Sequence, residues 1–276
     1  MGRAVRRRGE DLRLVRLLTT KRTALSLSLA LGACGGHALH DAVARGDVAR
    51  AERALADGAG VDDRDEDGLT GLALAARYGR LDMVRLLLAR GARVDGASNG
   101  STALMRTERA EVAAALLDAG AHIDARDSAR MTPLMLAARS GSVEVAALLI
   151  QRKAGLDLRD ARGRTVVHYA ASENSVALVG ALLAAGAPAN VADLDGNFPL
   201  HLVGVEGGPP AVAIVEALLR AGNPVGARNA AGRTPICMLA GAEARVRDVL
   251  LAAGAVASEG CEREPAPTIS LPAVDP

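Results

Sequence analysis

Cys34, His37 and His40 stand three residues apart near the start of this 276-residue chain. A thiolate and two imidazoles at such spacing can ligate zinc. A second concentration of ligand-type side chains follows at Asp62-Asp63-Arg64-Asp65-Glu66-Asp67, dense enough in carboxylate to hold calcium weakly. Cys237 and Cys261 can pair in an oxidising compartment; in a reducing one they are a small buried thiol and a free one. There is no Gly-x-Ser-x-Gly, no His-Glu-x-x-His, no phosphate loop and no dinucleotide fingerprint. No catalytic residue and no cofactor are therefore assigned. An enzyme or metal-handling protein rests only on the Cys34 cluster and the acidic run, and is the weaker reading.

What positions these residues is a phrase that returns along the chain. Its fullest form is Met131-Thr132-Pro133-Leu134-Met135-Leu136-Ala137-Ala138-Arg139-Ser140-Gly141. It recurs as Asn197-Phe198-Pro199-Leu200-His201, as Arg233-Thr234-Pro235-Ile236-Cys237 and, more loosely, as Arg164-Thr165-Val166-Val167-His168-Tyr169-Ala170-Ala171. The threonine-equivalent positions are Thr70, Thr102, Thr132, Thr165, Phe198 and Thr234, separated by 32, 30, 33, 33 and 36 residues. A period of this size predicts a stacked array of supersecondary units and argues against a globular domain around one enclosed site.

Each part of the phrase has a physical role. The threonine hydroxyl can accept from a backbone N–H two or three residues on, which makes it a helix N-cap. Proline after it sits where its missing N–H costs nothing. Gly46, Gly79 and Gly141, with Asn174 in the same place, can take the left-handed turn that ends the first helix. The pairs Leu86-Leu87, Leu116-Leu117, Leu148-Leu149 and Leu182-Leu183 give the second helix an apolar stripe, with Leu149 and Leu183 expected in the shared core. Seven units can be counted, with atypical ones at each end. Three are irregular. The unit near 99–127 breaks off at Arg106-Thr107-Glu108, which predicts a shortened first helix. The unit near 194–229 carries extra residues from Gly204 to Pro210, which predict a longer loop between its helices. In the unit near 128–160, Lys153 replaces a glycine.

The whole unit, Thr-Pro-Leu-His-x-Ala-Ala-x-x-Gly, then Val-x-x-Leu-Leu-x-x-Gly-Ala, then Asp-x-x-Gly, resembles the ankyrin repeat over residues 37–258. The resemblance implies an all-α solenoid of stacked helix–turn–helix units with protruding hairpin loops. It implies a non-enzymatic, monomeric binding module whose concave face, made of hairpin tips and first helices, holds a protein partner. It also implies structural roles for Thr132, Pro133, Leu134, Thr234 and Pro235, and for His40, His168 and His201, whose imidazoles would bond the capping threonine and nearby backbone. With His40 so used, no metal is assigned. His122 falls in a loop and is expected in solvent. Asp65 falls where ankyrin aspartates bond backbone N–H groups. Arg64, Arg126, Arg159 and Arg228 form a partial ladder with gaps at Gly96 and Ala192. Alternating with Asp65, Asp127, Asp160 and Asp193, they suggest a polar, charge-matched partner. The alternative is that these arginines only solubilise the edge. An immunity or chaperone-like role toward a toxin or envelope enzyme is an alternative within binding.

Composition narrows the partner class. Half the residues are apolar, yet the aromatics are only Tyr78, Tyr169 and Phe198, with no Trp, which argues against base or sugar stacking. Residues 1–33 carry +6 and residues 34–276 carry −5, so the repeats are mildly acidic and a nucleic-acid partner is disfavoured. Lys21-Arg22 precedes a short apolar stretch from Thr23 to Ala33, the layout of a secretory signal and too short to span a bilayer. Leu31-Gly32-Ala33-Cys34 resembles the bacterial lipobox, in which the chain is cut before the cysteine and the thiol is joined to lipid. The expectation is a signal peptide over 1–33, lipidation at Cys34 and an envelope location at the outer membrane or periplasmic side; the alternative is a cytoplasmic protein. Residues 259–276, with Pro265, Pro267, Pro272 and Pro276, read as a flexible tail.

Overall fold

The computed structural model describes residues 37–98, 100–204, 209–239, 244–256 and 261. The expected leader, Cys34 and the tail apart from Cys261 lie outside the described residues. Seven helix pairs follow one another: 37–45 with Val48–Ala56, Gly71–Arg77 with Leu81–Ala89, Ala103–Arg106 with Ala110–Asp118, Pro133–Arg139 with Val143–Gln151, Val166–Ser172 with Val176–Ala184, Pro199–Leu202 with Pro209–Arg220, and Pro235–Met238 with Ala244–Ala252. Ala103–Arg106 and Pro199–Leu202 are single 3-10 turns. Among the described residues there is no strand, only the isolated bridges Arg64–Thr70 and Ser98–Ser101.

The chain divides into two compact units. The first runs through Thr107 and takes Glu111–His122; the second takes Glu108–Ala110 and the residues from Ile123 onward. Within the second, the first helix of the fourth repeat packs on that of the fifth, and the second helices pack in the same order along the row.

Local chemistry explains the helix starts. Thr70 Oγ accepts from the Ala73 N–H and Thr132 Oγ from the Met135 N–H, each at 3.3 Å. Pro133, Pro199 and Pro235 occupy first-turn positions, as the phrase predicts. The turns that end the first helices of the first, second, fourth and fifth repeats are left-handed, at Gly46, Gly79, Gly141 and Asn174, the last with φ 55°. Lys153 takes the same conformation at φ 67° where its neighbours carry glycine.

The second helices of the second to sixth repeats bury residues at i, i+1 and i+4, and that of the seventh buries i and i+4. The last of these is Leu87, Leu116, Leu149, Leu182, Leu218 or Leu250, all fully buried. Leu182, not Leu183, is therefore the core leucine of the fifth repeat, which corrects the expectation for Leu183. At about 100° per residue, i+4 falls between i and i+1 on the helix circumference, while i+5, the place of Leu183, falls outside that stripe. The first helix of the third repeat is cut to one 3-10 turn, as its sequence predicts. In the sixth repeat Pro209 and Pro210 begin the second helix rather than extending the loop; 205–208 lie outside the described residues.

Candidate partner-binding face

The hairpin loops, or fingers, are built from an aspartate turned inward. Asp65 Oδ1 accepts from the Leu69 N–H at 2.7 Å, and Asp127 Oδ1 from Ala129 and Met131 at 2.9 and 2.7 Å. Asp160 Oδ1 accepts from Arg162 and Arg164, both at 2.8 Å, and Asp193 Oδ1 from Asp195 and Asn197 at 3.0 and 2.8 Å. Asn229 repeats the arrangement toward Ala231 and Arg233. A short carboxylate closing its own turn is what fixes a finger. These carboxylates hold the fingers in shape. In the first unit Asp62 and Asp63 are used similarly, on Arg93 and on the Gly60 N–H.

The arginine ladder has a structural component that its spacing did not disclose. Arg64 donates to the Ala97 carbonyl, Arg126 to that of Arg159 and Arg159 to that of Ala192, in each case one repeat onward. Arg228 donates to Gly232 within its own finger. All four remain exposed at the finger bases.

The fingers of the second unit are also tied at their tips. The Ala161 N–H donates to Ala129 O at 2.9 Å, that of Leu194 to Arg162 O at 2.9 Å, and that of Ala230 to Asp195 O at 2.8 Å. Four fingers thus form one row in fixed register, with Ala129, Ala161, Leu194 and Ala230 exposed along it.

Histidines stitch the repeats below the fingers. His168 Nδ1 accepts from the Thr165 N–H at 3.0 Å, so Nε2 carries the proton and donates to Asn197 O at 3.1 Å. His201 does the same from the Phe198 N–H to Ala227 O, which keeps a cap where phenylalanine has replaced threonine. His40 Nε2 lies 3.1 Å from Leu69 O. Burial lowers the pKa of His168 and of His201, which favours the neutral ring this bonding needs. His122 is exposed and uses only its backbone N–H, on Asp95.

Tyr169, on the first helix of the fifth repeat, is a component that sequence reasoning missed. Its hydroxyl donates to Asp160 Oδ2 at 2.5 Å, and the Arg164 guanidinium lies 6.0 Å from its ring centre. Arg164 Nε is 3.7 Å from the buried Asp193. Burial and then the Asp160 bond push the tyrosine pKa up to about 12. Its signal was a tyrosine where other repeats carry leucine or methionine. Arg130, at φ 60° on a finger where other tips carry glycine, and Leu194, 73% exposed, were missed likewise. In the first unit, His37, Asp41, Glu66, Arg77 and half-exposed Tyr78 line a groove of about 380 Å³. At the other end of the chain, Cys237 and Cys261 are joined in a disulfide with their Cα atoms 4.8 Å apart.

A family model described as ankyrin repeats in three copies matches residues 3–95, 39–127 and 107–193. The chain belongs to the ankyrin repeat family. Ankyrin repeats are protein–protein interaction modules, and the all-α solenoid class follows. The chain is similar to the ankyrin repeat domain of Bcl-3, described as a unique member of the IkappaB protein family: 29% identity, 78% of this chain, 97% of that one, TM-score 0.64. It also shares the fold of the human ASB11 ankyrin repeat domain: 24% identity, 83% and 99% coverage, TM-score 0.68. No curated protein sequence matches it.

Proposed function

We propose that this chain is a monomeric, envelope-anchored ankyrin protein that holds a protein partner on its fingers and first helices. The observation that carries the binding reading is the finger row itself. Asp127, Asp160, Asp193 and the tip-to-tip hydrogen bonds fix the backbone, while the outward side chains are left exposed. A rigid surface loses little freedom on binding, so more of its contact energy appears as affinity. The ladder arginines Arg64, Arg126 and Arg159 retain N–H donors beyond their backbone bonds, and arginine is a frequent anchor in interfaces.

The location rests on two supports. One is the Leu31-Gly32-Ala33-Cys34 sequence behind a short apolar stretch. The other is the Cys237–Cys261 bond, since disulfides persist in oxidising compartments. Lipidated Cys34 would leave the repeats tethered to the membrane at their first helix. One lipid chain binds marginally and several anchor stably.

Cell fractionation and intact mass test the location. The native protein should begin at Cys34 with an added lipid mass and sediment with membranes, and Cys34→Ser should abolish both. A full-length, unmodified chain in the cytosol would end the anchoring reading. Cross-linking in envelope extract tests the binding. Replacing Arg126 and Arg159 with glutamate should remove the captured protein without unfolding the chain. A partner captured equally by both forms would place the contact elsewhere.

A further inference from the structure

Six of the seven finger arginines of the second unit fall into two groups, the seventh, Arg164, lying against Asp193 and Tyr169. Arg126, Arg159 and Arg228 each spend at least one donor on a backbone carbonyl. Arg130, Arg162 and Arg233 are exposed, and their guanidiniums have no hydrogen bond or ion pair among the described residues. They stand on the first, second and fourth fingers of the row. The third finger carries no arginine; it presents Leu194, the most exposed large apolar side chain among those described, beside exposed Asp195. The finger segments 126–130, 159–164, 192–197 and 228–233 hold seven arginines against four aspartates. Three of those aspartates, Asp127, Asp160 and Asp193, face the finger backbone. This row is therefore locally basic on a mildly acidic chain.

The tip hydrogen bonds set the order of these four side chains: cation, cation, aliphatic, cation. Arg130 adds an independent sign of use. It holds a left-handed backbone at φ 60°, a conformation disfavoured for side chains with a Cβ, where Gly163, Gly196 and Gly232 stand on the other fingers.

We propose that this finger row binds an extended acidic protein segment carrying one aliphatic side chain. Arg130, Arg162 and Arg233 pair with its carboxylates and Leu194 packs on the aliphatic group. The proposal rests on the interaction-module reading and names the chemistry of its partner. Packed helices stand about 8–10 Å apart, and this spacing is taken for the fingers they carry. An extended chain rises about 3.3 Å per residue, so it meets a new finger about every three residues. The bound segment accordingly has the pattern acid-x-x-acid-x-x-aliphatic-x-x-acid, in one chain direction or the other. A nucleic acid would meet the same charges but would have no use for Leu194 and would find no exposed aromatic on this row to stack on.

Selection from a displayed library of random peptides on the purified full-length chain tests this. The enriched peptides should be acidic, with an aliphatic residue among the acids at the stated spacing. Their affinity should fall as salt rises. Arg162→Glu and Arg233→Glu should each weaken binding by about tenfold, and Leu194→Ser by about fivefold. Arg130→Gly, which suits the finger backbone, should weaken it with the melting temperature held or raised. Enriched peptides that are neutral or basic would overturn the proposal and leave the interaction module standing. No enriched peptide at all would overturn both. A single-stranded oligonucleotide that binds more tightly than the enriched acidic peptides would overturn the peptide assignment in favour of nucleic acid.

Discussion

At the scale of single residues, the chain separates groups that hold the fold from groups left over for contact. His168 belongs to the first kind. Its removal leaves the buried Thr165 N–H without its acceptor and takes one of two donors from the Asn197 carbonyl, which keeps the Asp193 N–H. The orphaned N–H costs about 1–3 kcal/mol and the cavity left by the buried ring adds to it, so His168→Ala should lower unfolding free energy by about 2–4 kcal/mol in a urea titration. The same histidines make stability pH-dependent. His168 and His201 have folded pKa values below the ordinary 6.5 of the unfolded chain. Their contribution is complete above pH 6.5 and is lost as pH falls below it, because protonation then favours the unfolded chain. Melting temperature should fall between pH 7 and pH 5, and less steeply once both rings are replaced. A profile unchanged by the double replacement would assign the pH dependence to other groups. Arg130 belongs to the second kind: Arg130→Gly should raise stability by about 0.5–1 kcal/mol by relieving its backbone. The stitching histidines were legible from their place in the phrase. Arg130, Leu194 and Tyr169 were not, because a departure at one position carries no period to announce it.

At the scale of elements, the second helices of the second to seventh repeats each depend on one leucine. Leu149 is fully buried, so Leu149→Ala should cost about 2–5 kcal/mol. Leu183 is only partly buried, and the same change there should cost clearly less. Equal losses at the two positions would refute the i, i+1, i+4 register. Helix existence, caps and period were readable because they repeat. Which member of a Leu-Leu pair faces the core was not readable from the pair alone. It follows from the distance to the preceding buried pair, such as Val145-Ala146 or Leu178-Val179. The ladder arginines show the same limit. Their spacing marked Arg126 and Arg159 as a row, but spacing cannot distinguish a side chain reaching the next repeat's carbonyl from one reaching out to a partner.

At the scale of the whole molecule, repeats support only their neighbours, so an end repeat is held from one side. The last repeat is weak by that logic: its first helix is the single turn Pro235–Met238, begun by Thr234 and Pro235. The Cys237–Cys261 bond ties this turn to a residue beyond the final helix, Ala244–Ala252. A cross-link closing a loop of this order stabilises by about 2–4 kcal/mol, chiefly by restricting the unfolded chain. Where the bond forms, the last repeat should be as protected as its neighbour. Where it is reduced, that repeat should open before the others, since an end repeat is held by one neighbour. Hydrogen exchange on oxidised and reduced full-length protein reads this directly. Reduction should speed exchange over 235–256 and leave Pro133–Arg139 and Val166–Ser172 unchanged. Acceleration spread evenly along the chain would mean that the repeats unfold as one block. No acceleration at all would mean that the last repeat stands without its cross-link, and would remove the disulfide as a support for an oxidising location.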